Sequence, residues 1–282
     1  MGEQVARHGL ITRRGDVVLH TKKNGSALQH TTKTSRVLRT GFTMMDLMVS
    51  LVIVTVLIAL MLPAISLVRE STHRVICASN LRQIGMGISL YSQDTRDHLP
   101  DSVFLPPAPS SNGSYIGAYD RMDTVLLPSD EFTELSGDDR WDGLGLLYHR
   151  EYIAAPNLYY CPSHQGSFTY DDAADDWINN EAADEIVVNY LYRGRGPLGS
   201  RVLYNIPSRA ALVTDTLRSF YDLNHQGGFN VMQAGLAVDW YDDIGDQIAN
   251  NILLRSGDDN DASTTVQDAW GRLDEIPNLV GD

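Results

Sequence analysis

Lysine is nearly missing from this chain. Of 282 residues only Lys22, Lys23 and Lys33 are lysines, and all three fall before residue 42. Residues 1–41 carry eight Lys or Arg against Glu3 and Asp16, a net charge of +6, whereas the remainder carries fourteen Arg against 34 acids, a net charge of −20. So acidic a bulk excludes nucleic acid as a direct ligand, because phosphate binding needs clustered cations. Cysteine is equally scarce: Cys77 and Cys161 are the only two. One pair permits a single bridge closing a large loop, or two small buried thiols, and we expect the thiols. His73, His98, His149 and His164 lack ligand spacing, which assigns them no metal. Ser163 lacks a G-x-S-x-G elbow, so the grouping of Ser163, Asp215 and His225 is a weak hydrolase signal and the chain is not expected to be an enzyme. No internal repeat is present.

What is there is an apolar run. From Phe42 to Leu62 there are 21 residues, and Asp46 is the only charged one. As a helix that stretch is roughly 31 Å long, close to the thickness of a bilayer's hydrocarbon core. A carboxylate at the mouth of such a span is costly in lipid and calls for a partner. The basic flank before the run and the acidic bulk after it place the N-terminus in the cytoplasm and the main domain outside. A cleaved secretory signal fits less well, since its apolar core is about 7–15 residues long and is followed by a small-residue cleavage site.

Beyond the run, Cys77, Leu81, Ile84, Ile88 and Tyr91 recur at steps of three and four, the stripe of an amphipathic helix reaching about Asp94, with a kink expected at Pro63. Asp97–Pro100 ends it, and Pro106–Gly113 reads as a loop. Leu144–Tyr152 reads as a short helix. Asn157–Cys161, Ile186–Tyr192, Ala210–Thr214, Phe229–Met232 and Leu236–Trp240 read as strands. The expected fold class is α+β: a long N-terminal helix, transmembrane in its first half and amphipathic in its second, packed on a mainly antiparallel β-sheet domain. Residues 1–41 form a removable leader, 42–62 the span, 63–96 its continuation and 97–282 the domain.

The segment Gly41-Phe42-Thr43-Met44-Met45-Asp46, behind a basic leader and ahead of the apolar run, resembles the prepilin cleavage and methylation signal of type IV pilins and type II secretion pseudopilins. Pro63, Ser66–Glu70, Cys77–Gly85 and Leu90-Tyr91 continue the likeness to the subfamily whose C-terminal part carries an H-x9-DG motif. Leu144–Tyr148, Tyr160–Ser163 and His225–Val231 also fit it. The chain departs from the pattern twice: Asp46 replaces the usual Glu, and Gly235-Leu236 stand where the motif has Asp-Gly, so the motif's acid is missing. The resemblance implies cleavage after Gly41 by a prepilin peptidase, a methylated amine on Phe42, and pairing of that amine with Asp46 of the next subunit in a homo- or hetero-oligomeric filament. It also implies an inner-membrane location with the domain periplasmic or extracellular. The implied partners are other pseudopilins, the inner-membrane assembly platform and membrane lipid.

Other features have plainer readings. His225 with Gly227 and Gly228 reads as a glycine turn that the histidine fixes. The acids Asp171-Asp172, Asp175-Asp176, Asp242-Asp243, and Asp258, Asp259 and Asp261 read as solvated surface. Calcium at the last group is an alternative, although the glycine and distal Glu of an EF-hand loop are missing, and no cofactor is expected. The rival functional class is a membrane-anchored domain that binds polysaccharide or protein without polymerising, with Tyr115, Tyr119, Trp141, Tyr159, Tyr160, Trp177 and Trp240 as stacking surfaces.

Overall fold

The computed structural model describes residues 41–105, 119–180, 182–215, 217–250 and 259–275. The leader up to residue 40, the Pro106–Gly113 loop and Asp258 lie outside the described residues, as do the side chains of Asp259 and Asp261. The chain divides into two compact units, residues 1–53 and 54–282.

Helix α1 runs Met44–Asp94. Phe42 and Thr43, read as part of the span, instead precede its first turn. The start is fixed locally: the Asp46 amide donates to Thr43 Oγ1 (3.2 Å), while Asp46 Oδ2 accepts from the Thr43 amide (3.0 Å) and hydroxyl (2.8 Å). This reciprocal pair satisfies amides that a helix N-terminus leaves without intrahelical partners. At Pro63, where a kink was expected, the element stays helical. One proline removes a single backbone bond, and the turns on either side keep theirs. After Asp94 the chain leaves the helix through Arg96 and Asp97, both left-handed with φ of 58° and 62°.

Among the described residues two antiparallel sheets follow. The small one pairs β1 (Thr124–Leu126) with β2 (Ile186–Val187). The larger has the order β3 (Tyr190–Tyr192), β4 (Ala211–Asp215), β5 (Gly228–Gln233), β6 (Val238–Asp242). The single strand expected over Ile186–Tyr192 is therefore split between two sheets. The strand expected over Asn157–Cys161 is absent: Pro156, which fixes φ and lacks an amide donor, opens a 3₁₀ turn over Pro156–Tyr159. Helix α2 (Gly145–His149) falls where a short helix was expected.

Two helices carry acids of the acid clusters, and Asp171, Asp172 and Asp175 are exposed as a solvated surface requires. Thr169 caps α3 (Tyr170–Ile178) by accepting from the Asp172 amide, so the Asp171–Asp176 acids stand on a helix. Helix α4 (Asp259–Asp274) starts within the last acid group, and its Val266, Ala269, Trp270 and Leu273 are buried. Asp274 ties it to the larger sheet, accepting from Arg193 Nη1 (2.8 Å) and the Ala211 amide (3.0 Å). Asp243 is buried as well, accepting from the amides of Ile248 and Ala249.

The core holds the α1 stripe Cys77, Leu81, Ile84, Ile88 and Tyr91, all buried. Each such apolar side chain contributes about 1.5–3 kcal/mol on leaving water. From α1, Asn80 Nδ2 donates to the Tyr160 carbonyl (3.2 Å) and reaches the Tyr190 hydroxyl (3.4 Å). Trp141, Tyr148, Tyr159, Tyr160 and Trp177 form one aromatic group, with Trp177 at its centre 4.7 Å from the ring of Tyr148.

Candidate functional site

In the described part of the first unit, Gly41 and Phe42 are exposed ahead of α1. Behind them Met44–Leu62 is long and apolar enough to cross a membrane, and none of it is buried. Every large apolar side chain from Phe42 to Leu62 is more than half exposed. An exposed apolar surface of this extent is consistent with a single-pass membrane anchor. Asp46, the only acid here, makes both of its carboxylate bonds to Thr43 through Oδ2.

A second cluster lies in the larger unit. Glu70, Arg74 and Cys77 stand four and three residues apart on α1, so they share one helix face. Opposite them, β4 ends in Asp215 and the turn before β5 carries His225. The turn needs its glycines: Gly227 is left-handed at φ 79°, and a Cβ on Gly228 would run into the Tyr241 carbonyl and the Trp240 ring. His225 Nδ1 lies 2.7 Å from Glu70 Oε1, its Nε2 3.9 Å from Asp215 Oδ2 and 3.5 Å from Cys161 Sγ. Both the His225 and the Asp215 side chains are fully buried.

Every charge in this group has partners. Asp215 accepts from the Asn230 amide (2.6 Å), Asn230 Nδ2 (3.4 Å) and Asn224 Nδ2 (3.3 Å). Burial pushes its carboxyl up, and the His225 charge and these donors only partly offset that. Burial also pushes Glu70 upward, but the bonds from His225 and Ser163 and the nearby His225 charge prevail and hold it below the usual range. Arg74 adds an ion pair to Glu70 (3.4 Å), donates to the Gln226 carbonyl (2.9 Å) and lies 4.1 Å over the Trp240 ring.

Cys77 and Cys161 are joined in a disulfide with Cα atoms 5.4 Å apart. This corrects the expectation of two separate thiols. The bridge ties α1 to the segment after the Pro156 turn, and it sits against His225.

The structure brings Ser163, Asp215 and His225 close but not into a serine triad. Ser163 Oγ donates to Glu70 Oε2 (2.8 Å) and accepts from His73 Nδ1 (3.1 Å), so Glu70 stands between it and His225. His225 is the turn-fixing histidine of the sequence reading, but its partners are carboxylates from distant segments. Glu70 was the member sequence reasoning overlooked. The signal was a charged pair, Glu70 and Arg74, two turns and one turn before a cysteine. Of the proposed stacking aromatics, Trp141, Tyr159, Tyr160 and Trp177 are buried and Trp240 is half-buried under Arg74, while the side chains of Tyr115 and Tyr119 lie outside the described residues. The calcium candidates Asp258, Asp259 and Asp261 likewise offer no described side chain.

No protein-family model matches this chain, and no curated protein or solved structure matches it.

Proposed function

We propose that this chain is a structural subunit of a type II secretion pseudopilus or a type IV pilus-like filament. The observation that carries the reading is the exposed apolar helix Met44–Leu62 with one carboxylate near its start, directly behind Gly41-Phe42. In this reading the basic leader stays in the cytoplasm and a prepilin peptidase cuts after Gly41. The acidic domain lies outside the inner membrane, and the second half of α1 packs on the sheet domain. Its work is mechanical, not catalytic.

Assembly moves the helix from lipid into a bundle of similar helices, replacing lipid contacts with protein contacts. A free Phe42 amine and the Asp46 carboxylate are each costly in the membrane, and pairing between neighbouring subunits offsets much of that cost. In the single chain Thr43 holds the carboxylate, so the local cap keeps Asp46 positioned until a neighbour supplies the amine. The partners are then other pseudopilins, the assembly platform and membrane lipid. Asp46→Ala tests this: it leaves membrane insertion intact and abolishes incorporation into filaments. Filaments of normal abundance from the variant would count against the pairing.

A further inference from the structure

The disulfide and its two neighbours have a second chemistry. Cys77, Cys161, Asp215 and His225 each present one donor atom, all four are buried, and the four atoms lie within 4.8 Å of one another. We propose that, once the Cys77–Cys161 bond is reduced, these four side chains form a tetrahedral site for a divalent, borderline-soft cation of the zinc class.

The donor set is right for such an ion: two thiolates, one imidazole and one carboxylate. Distances agree as well. With metal–sulfur bonds of about 2.3 Å and metal–nitrogen bonds of about 2.0–2.1 Å, a tetrahedral site sets sulfur and nitrogen about 3.6 Å apart. Cys161 Sγ and His225 Nε2 are 3.5 Å apart. Nitrogen and carboxylate oxygen come to about 3.4 Å in the same geometry. His225 Nε2 and Asp215 Oδ2 are 3.9 Å apart, about half an ångström longer. The two sulfurs, no longer bonded, move to about 3.8 Å from each other.

The surroundings complete the case. A metal-ligating imidazole usually donates its other N–H to a carboxylate, which fixes the ring and its tautomer. His225 Nδ1 meets Glu70 Oε1 at 2.7 Å, and Nε2, which a metal takes from the neutral ring, faces Cys161 and Asp215. Asn230 and Asn224 donate to Asp215, holding the carboxylate in place. Two thiolates and a carboxylate on a divalent ion leave one net negative charge, and the Arg74 guanidinium stands on the far side of Glu70. Cys161 also lines an open cleft of about 460 Å³ with Ile76, Asn80, Tyr160 and His164.

The chemistry balances with a dithiol as reductant. The dithiol gives two electrons and two protons to the Cys77–Cys161 bond and becomes a disulfide, leaving two cysteine thiols. The cation then forms two metal–sulfur bonds and releases both thiol protons to water. Oxidised chain has no site; reduced chain has one.

The test uses full-length protein in detergent with Co²⁺ as probe. After reduction and anaerobic removal of reductant, one equivalent of Co²⁺ should give thiolate-to-cobalt charge-transfer absorption and the strong d–d bands of a tetrahedral site. Zn²⁺ should bleach both, and the oxidised chain should show neither. His225→Ala and Asp215→Asn should abolish the tetrahedral bands. Glu70→Gln should weaken Co²⁺ binding by about 10–100-fold while retaining the spectrum, because Glu70 orients a ligand without being one. Circular dichroism accompanies each titration. Reduced wild-type chain that shows no thiolate–cobalt band, whether it stays folded or unfolds on reduction, overturns the proposal. So does an unchanged spectrum from Asp215→Asn, or an unchanged Co²⁺ affinity in Glu70→Gln.

Discussion

Breaking the Cys77–Cys161 bridge is the perturbation with the largest effect that the structure defines. The two cysteines are 84 residues apart in sequence. Cross-linking a loop of that length restricts the unfolded chain by about 15 cal/mol/K, or about 4.5 kcal/mol at 25 °C. Domains are stable by about 5–15 kcal/mol in all, so the bridge supplies about three tenths or more of that margin. The perturbation is Cys77→Ala with Cys161→Ala, which also removes any thiolate that a metal could use to restore the link. All four tryptophans, Trp141, Trp177, Trp240 and Trp270, belong to the larger unit. Guanidinium unfolding followed by tryptophan fluorescence in mild detergent therefore reads that unit alone. We expect the double variant to lose about 4–5 kcal/mol, and wild-type protein unfolded with reductant and chelator present to lose a similar amount. A loss below about 1 kcal/mol in both would refute the idea that the bridge restrains the denatured chain.

Three further outcomes follow from single residues. Asp142, which accepts from the Ser102 hydroxyl (2.6 Å) and the Val103 amide (2.8 Å), is pushed by burial from 3.8 to about 6, those bonds only partly offsetting it. A carboxyl raised on folding holds its proton longer when folded, so this residue's contribution is full below pH 3.8 and is lost as pH rises through about 6. Relative to Asp142→Asn, wild type should lose up to about 3 kcal/mol between pH 4 and 6.5, and a difference that stays flat across thermal melts in that range would contradict this. Gly228→Ala drives a methyl into the Tyr241 carbonyl and should cost about 3 kcal/mol, more than Gly227→Ala, which meets no atom within 4 Å and strains only φ by about 1–2 kcal/mol; equal midpoints for the two variants would reject the close-approach argument. Thr43→Ala removes the hydroxyl partner of Asp46 and should lower helicity at the start of α1 by about 1 kcal/mol of cap stability, read as faster amide exchange there than in wild type.

Local pattern carried much of the fold. The spacing of Cys77, Leu81, Ile84, Ile88 and Tyr91 marks side chains that are all buried, and the β-branched runs around Ala211, Phe229 and Val238 became paired strands. Where reading failed, a short-range signal had been outweighed by composition. The run Asn157–Cys161 looked like a strand because its tyrosines favour sheets, yet Pro156 and tertiary burial of Tyr159 made it a turn. Helices α3 and α4 were not foreseen where Asp171-Asp172 and Asp259–Asp261 cluster, although Thr169-x-x-Asp172 is a capping pair and Val266, Ala269, Trp270 and Leu273 form a helical stripe. The buried cluster was less legible still. Glu70, Cys77, Cys161, Asp215 and His225 come from segments up to 155 residues apart, and only the sheet register and the path of α1 bring their donor atoms together.

The filament reading stands on what happens at Gly41-Phe42, which makes the N-terminus of membrane-extracted protein the most direct measurement. Intact mass and N-terminal sequencing should find a chain that begins at Phe42 with a methylated amine and lacks the 41-residue leader. A mature protein that still begins ahead of Gly41, or one cut beyond Leu62, would contradict the account.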